Sequence, residues 1–256
     1  MGRFDFLRTR LGFAKPLLEA IASLESRIAE RWVSAAYHRL FLVQWGIYPL
    51  PEFYEHKIGM FWGWGPTRQA YWVERGVFSL LTMAQGCKVL ELCCGDGFNA
   101  HHFYSCRANS ILAVDFDPKA INYAQRNFKA PNVTYEIADI RTQMPDGSFD
   151  NIIWDAAIEH FTEQEIFDLV DAIKKRLAPN GTVSGYTFVE ASTGKPKFIH
   201  HEIEFQSPAD LARFFYPHFK NVKVFQTIYS ERTNLYFWAS DGDLPFSPSW
   251  PHAAGN

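Results

Sequence analysis

Residues 88–117 read KVLELCCGDGFNAHHFYSCRANSILAVDFD, and this stretch decides the fold. Val89-Leu90-Glu91-Leu92-Cys93 has the length and apolar character of a buried strand. Cys94-Gly95-Asp96-Gly97 is a tight turn, and a helix-compatible run starts near Phe98. A second apolar strand, Ser110 to Val114, ends on Asp115. The unit is strand, glycine turn, helix, strand, acid. Glycines in such a turn let a ligand approach the backbone, with N–H groups pointing at it. An acid at the tip of the second strand is placed to hydrogen-bond a ribose diol.

Working outward, the same alternation continues. Asp117-Pro118 fits the N-cap and first turn of a helix running to Phe128. Asn132 to Ile137 reads as a third strand and Phe149 to Asp155 as a fourth. A helix over Glu163 to Leu177 precedes a turn at Pro179-Asn180-Gly181 and a fifth strand over Thr182 to Val189. Ser207 to Phe215 reads as a helix, and Asn221–Tyr229 with Asn234–Ser240 as a closing antiparallel pair. Strands alternating with helices imply an α/β, doubly wound, mainly parallel sheet whose ligands sit beyond the carboxyl ends of the strands.

Toward the N-terminus, residues 1–45 look helical with a break or start near Pro16. Leu17, Leu18, Ile21, Leu24, Ile28, Trp32 and Val33 form one apolar stripe. That stripe suits packing on the domain, on a second copy of the chain as a homodimer, or on a membrane surface. Arg3, Arg8, Arg10 and Lys15 among Phe4, Phe6, Leu7 and Phe13 are what the membrane reading uses. Residues 46–75 are dense in Tyr, Phe and Trp and broken by Pro and Gly. They fit a lid over a substrate, or an aromatic plug. The expected organisation is an extension over 1–84, a core over 85–240 and a tail over 241–256.

Composition excludes several classes. A net charge of −3 and no Lys/Arg-rich run argue against a nucleic-acid partner. No stretch is long and apolar enough for a transmembrane helix, and no signal peptide is read. Cys87, Cys93, Cys94 and Cys106 form no C-x-x-C pair, so no metal site is expected from them, and they suit reduced thiols in a cytoplasmic protein.

Gly95-Asp96-Gly97-Phe98-Asn99-Ala100 fits G-x-G-x-x-G/A, and Asp115 lies twenty residues past Gly95. A nicotinamide dinucleotide site would show both features. Glu91 leans the other way: a carboxylate repels a pyrophosphate and stabilises an α-ammonium. The Cys93-Cys94 pair before the turn leans the same way. These details point to a nucleoside with an ammonium group and no phosphates.

Glu91-Leu92-Cys93-Cys94-Gly95-Asp96-Gly97 resembles the first motif of the class I S-adenosylmethionine-dependent methyltransferases, and Ala113-Val114-Asp115-Phe116-Asp117-Pro118 resembles the second. Ala138-Asp139-Ile140 takes the place of the third, and Phe149 to Asp155 that of the fourth. Leu177-Ala178-Pro179-Asn180-Gly181 is similar to the family's loop before the fifth strand, with Asn180 in place of a glycine. The resemblance covers about residues 85–240 and implies a Rossmann-like seven-stranded sheet with an antiparallel last strand. It implies that Cys93, Cys94, Gly95, Asp96 and Gly97 lie against the methionine part of S-adenosyl-L-methionine, with Glu91 at that end. Asp115 would bind the ribose, Phe116 pack on the adenine face, and Asp139 with Ile140 meet the adenine edge. Trp154 and Asp155 would line the wall toward the acceptor. Phe116 could instead be core, and Asp139 could cap a turn.

Methyl transfer needs donor and acceptor aligned and dry, and a hydroxyl acceptor needs a base in reach. The candidates are His160, Asp155, His200 and His201. No helical H-x-x-x-H spacing supports a metal among these histidines. The fourth strand lacks the Asn/Asp-Pro-Pro-Tyr of adenine N-methyltransferases, and no Pro-Cys pair suggests cytosine chemistry. The expected activity is methylation, favouring oxygen, of a small-molecule or saccharide acceptor. An NAD(P)-dependent oxidoreductase and a catalytically silent cofactor-binding subunit are the alternatives.

Overall fold

The computed structural model describes residues 15–45, 71–189, 201–229 and 232–247. The chain divides into two units, residues 1–69 and 70–256. In the first, helix α1 spans Lys15–Trp45, so Pro16 falls in its first turn, where a missing N–H costs nothing. The second unit opens on α2 (Tyr71–Leu80), which the sequence assigns to the extension. It stays with the core because Phe78 packs edge-on against Phe225 and Tyr236.

The sheet contains β1 (Lys88–Leu92), β2 (Ser110–Asp115), β3 (Val133–Ile137), β4 (Phe149–Asp155), β5 (Leu177–Val189), β6 (Asn221–Ile228) and β7 (Thr233–Ser240). Their spatial order is β3-β2-β1-β4-β5-β7-β6. β1 to β5 pair in parallel, and β7 runs antiparallel to both β5 and β6. The order reverses beside β1, with β2 on one side and β4 on the other. A crevice therefore opens where the glycine turn emerges.

Successive side chains of a strand face opposite sides of the sheet. Leu90, Leu92, Ile152 and Trp154 join one buried cluster with Ile166, Leu169, Val170 and Ile173 of α5 (Glu163–Arg176). Val89, Ile111, Ala113, Tyr135 and Ile153 join another with Ile121 and Ala124 of α4 (Pro118–Asn127). This alternation decides which polar residues share a face. Glu91 follows Val89 and Asp155 follows Ile153, so both point to the α4 side. Trp154 points to the other.

Local chemistry sets the helix boundaries. The Asp117 side chain accepts from Lys119 N and Pro118 begins α4. Thr162 and Glu165 form a reciprocal capping box at the start of α5. The helix expected from Phe98 is broken: α3 covers only Phe98–His102, and a 3₁₀ turn follows at Tyr104–Cys106. α6 (Pro208–Ala212) is likewise shorter than its sequence suggests. Residues 178–181 are folded into β5 as a bulge, because pairing jumps from Phe149↔Leu177 to Asn151↔Thr182. Asn180 takes φ 61° there, in the region that the family loop fills with glycine.

Candidate active site

The turn after β1 is held open by backbone geometry. Gly95 and Gly97 have φ 56° and 80°, and Cys93 between strand and turn has φ 54°. A Cβ on Gly97 would lie 2.6 Å from the Tyr135 ring, so only glycine fits. A Cβ on Gly95 would meet nothing within 4 Å, so open space lies over this residue. Asp115 braces the turn from β2. One carboxylate oxygen accepts from Gly95 N at 2.9 Å and the other from Asp117 N at 2.9 Å. Each oxygen keeps a second lone pair for a ligand hydroxyl.

Beyond β2 and β3, Phe116 is 65% exposed, an unusual state for a phenyl ring at a strand end. Asp139 is gripped by Arg141, whose Nε and Nη2 donate at 2.9 and 2.8 Å, and this ion pair holds its carboxyl below the usual carboxylate range. Ile140 is buried, its side chain part of the α5-side core. Only its backbone can meet a ligand edge.

Acidic groups converge between β1 and β4. Glu91 is 2% exposed, and its Oε2 has no hydrogen-bond partner among the described residues. Burial pushes its carboxyl well up, and the charges of Asp155, Asp96 and Asp115 push it further, with Arg75 opposing. Asp155 is also buried. Its Oδ2 accepts from Asn99 Nδ2 at 2.9 Å and lies 3.8 Å from Arg75 Nε, while Oδ1 has no partner among the described residues. Burial raises Asp155 to about 6, with Glu159 adding and Arg75 and Asn99 subtracting.

Arg75 is aimed by its neighbour. The Glu74 carboxylate accepts from Thr227 Oγ1 (2.9 Å), from the Tyr236 hydroxyl (2.7 Å) and from the Tyr229 hydroxyl, fastening α2 to β6 and β7. Tyr186, paired in register with Asp155, lies under the Arg75 guanidinium at 5.7 Å. After β4, Ala156 takes φ 52° and donates to Tyr186 O at 2.8 Å. Strained non-glycine backbone thus sits at the ends of both β1 and β4, the two strands flanking the crevice.

Residues 89–181 match the methyltransferase domain family. Over that stretch the chain is a methyltransferase domain. An uncharacterized methyltransferase of Synechocystis sp. is 28% identical over 103 residues, 40% of this chain and 47% of that protein. The ribosomal protein L11 methyltransferase of Burkholderia lata is 33% identical over 84 residues, 32% of this chain and 25% of that protein. The chain thus spans about half or less of the curated relatives it matches. Among solved structures, the DhpI–SAH complex aligns with TM-score 0.56 at 18% identity, over 74% of this chain and 94% of that one. The N-methyltransferase NodS of Bradyrhizobium japonicum WM9 also aligns with TM-score 0.56, at 17% identity, over 68% and 97%. At these identities the structural likeness establishes the fold.

Within the methyltransferase domain, the structure gathers Glu91, Cys93, Cys94, Gly95, Asp96, Gly97, Asp115 and Asp155 at the carboxyl ends of β1, β2 and β4. Cys93 and Cys94 are neutral thiols there, raised by burial and by nearby carboxylates. Trp154, expected on the wall toward the acceptor, is instead fully buried against Phe161 in the core. Strand alternation turns it away from Asp155. His160 is exposed and its ring meets that of His201 edge-on at 4.9 Å. His200 and the aromatic segment 46–70 lie outside the described residues.

The sequence reading gave no role to Asn99, Arg75 or the Glu74 cluster. Asn99 stood in plain view inside the glycine motif. Its partner Asp155 is 56 residues away, and only strand order joins them.

Proposed function

We propose that the chain transfers the methyl group of S-adenosylmethionine to a small-molecule or saccharide acceptor, with a hydroxyl oxygen as the favoured atom. One observation carries the reading. Glu91, buried and with an oxygen that has no partner among the described residues, shares its surroundings with Asp155, Asp96 and Asp115, against which Arg75 sets one positive charge. Such a site is short of positive charge. A ligand with an α-ammonium and a sulfonium relieves that imbalance, whereas a pyrophosphate would deepen it. This weighs against the NAD(P) oxidoreductase.

The residues present fit the cofactor. The space over Gly95 admits its methionine part, Asp115 offers lone pairs to a ribose diol, and exposed Phe116 offers a face to adenine. When bound, the cofactor supplies an electrophilic methyl carbon. The chain supplies position and a proton acceptor. Asp155, near 6, is largely ionised at neutral pH and keeps Oδ1 for an acceptor hydroxyl. Asn99 and Arg75 fix its other oxygen. The four free cysteines suit a reducing, cytoplasmic setting. No helix among the described residues is long and apolar enough to cross a membrane. A homodimer or a membrane contact through α1 remains part of the proposal.

The test is incubation with methyl-labelled S-adenosylmethionine and fractionated cell extract. Label should enter a small-molecule or saccharide fraction. Label confined to protein would overturn the acceptor class. Binding of the cofactor without transfer to any fraction would favour the silent subunit.

A further inference from the structure

Glu159, His160 and His201 bring one carboxylate oxygen and two imidazole nitrogens within 4.8 Å of one another. We propose that these three residues hold a divalent transition-metal cation, such as Zn²⁺, Mn²⁺ or Co²⁺, which binds the acceptor hydroxyl beside the methyl-transfer site. The proposal rests on the reading of the chain as a hydroxyl methyltransferase.

The cluster is assembled by backbone bonds rather than by sequence proximity. Glu159 and His160 lie in the 3₁₀ turn Ile158–His160 after β4. The distant segment after residue 200 is pinned to that turn, because Glu202 N and Ile203 N both donate to Glu159 O, at 2.9 and 3.3 Å. Phe205, fully buried, anchors the segment further through a parallel bridge to Val189. These bonds set the His201 ring against His160. The Glu159 carboxylate is 4% exposed and is oriented by Thr187 Oγ1, which donates to Oε2 at 3.0 Å. A hydroxyl that orients a ligating carboxylate is a common feature of metal sites.

Two imidazoles and a carboxylate are the donor set of many catalytic zinc and facial-triad sites, and three protein donors leave open positions for substrate oxygen. Donors around one such ion stand about 3.3 Å apart, given metal–ligand bonds near 2.1 Å. The largest separation allowed, 4.8 Å, exceeds this by about 1.5 Å, within reach of a χ rotation at exposed His160. Arg232 is the nearby competing cation, its guanidinium 4.2 Å from the Phe188 ring and 5.7 Å from Tyr186.

The place suits the chemistry. Glu159 follows Asp155 by four residues in the turn directly after β4, so the cation would stand at the same carboxyl end of the sheet. Positive charge beside an acceptor hydroxyl eases loss of its proton to Asp155 or solvent. The oxygen–carbon bond then forms as the carbon–sulfur bond breaks, and the bonding pair stays on sulfur. The products are a methyl ether, a neutral thioether and a proton, with no change of oxidation state. The spacing of these histidines gave no hint of a metal, because His201 reaches the others only through the fold.

The experiment is calorimetric titration of the chelator-treated full chain with Zn²⁺ and with Mn²⁺, and with Co²⁺ read by its visible absorption. No donor or acceptor molecule is needed. One cation per chain at micromolar affinity is expected, weakened about tenfold or more in His160→Ala, His201→Ala and Glu159→Gln. His218→Ala, remote from the cluster, should bind as the parent does. If Glu159→Gln fails to fold, the two histidine variants at less buried positions decide. No saturable binding, or equal affinity in the His160→Ala/His201→Ala double variant, overturns the proposal. Binding of the cation without methyl transfer would leave the site standing and sink the hydroxyl methylation. Chelator-insensitive transfer with no cation bound would do the reverse.

Discussion

Replacing Asp155 with asparagine keeps the shape of the side chain and removes its charge. In the folded chain this carboxyl titrates at about 6, mainly because it is buried, against 3.8 unfolded. The folded state binds its proton more tightly, so the stability cost is small below the unfolded value and grows as pH rises through the folded one. At 1.36 kcal/mol per pH unit of difference, the cost reaches about 3 kcal/mol at neutral pH and about 1.5 kcal/mol near pH 5. Asp155→Asn escapes this cost. Its Oδ1 can still accept from Asn99, though the attraction to Arg75 at 3.8 Å is lost. Urea unfolding should therefore find the empty variant more stable than the parent near neutral pH, by up to about 3 kcal/mol, with the advantage shrinking toward pH 5. Methyl transfer should fall by about 10²–10⁴-fold, the usual contribution of a positioned proton acceptor. A variant less stable than the parent at neutral pH would refute the assignment of Asp155 as a buried charge that costs stability. Activity within a few-fold of the parent would refute its role in transfer.

Gly97→Ala should cost at least about 2–3 kcal/mol, from left-handed backbone and collision with Tyr135, whereas Gly95→Ala should cost only about 1–2 kcal/mol and act through cofactor affinity. Chemical denaturation of the two variants side by side checks the order. Asp115→Ala orphans Gly95 N and Asp117 N, so calorimetry should show cofactor affinity reduced at least about tenfold and stability lowered by about 1–3 kcal/mol. Unchanged cofactor binding in that variant would count against the ribose assignment. Glu74→Gln leaves one amide oxygen where three hydroxyls donate, and should lose about 2–3 kcal/mol in urea unfolding.

The core was legible where local chemistry and burial agree. The strand, glycine turn and Asp115 lie within thirty residues, and the bond by which Asp115 braces the turn is local to that stretch. Asp117-Pro118 announced α4 because a cap and a fixed φ are properties of the chain itself. Side-chain direction was harder. Trp154 and Asp155 are neighbours in sequence, but the pleat sends one into the core and the other into the crevice. An apolar run buried on both faces does not reveal which is which. Long-range partners were hardest. Glu74 meets Tyr236 across 162 positions, and Glu159 O meets Glu202 N only after the chain has closed β5. The helix from Phe98 ended early, a break its composition did not signal.

The acidic site suits a ligand that brings an ammonium and a sulfonium centre to it rather than a dinucleotide. The most direct test is a calorimetric titration of the chain with S-adenosylmethionine, and separately with NADH and NADPH. Saturable one-to-one binding of S-adenosylmethionine, weakened by Glu91→Gln and absent for both dinucleotides, is the predicted result. Binding of NADH or NADPH with none of S-adenosylmethionine would contradict it.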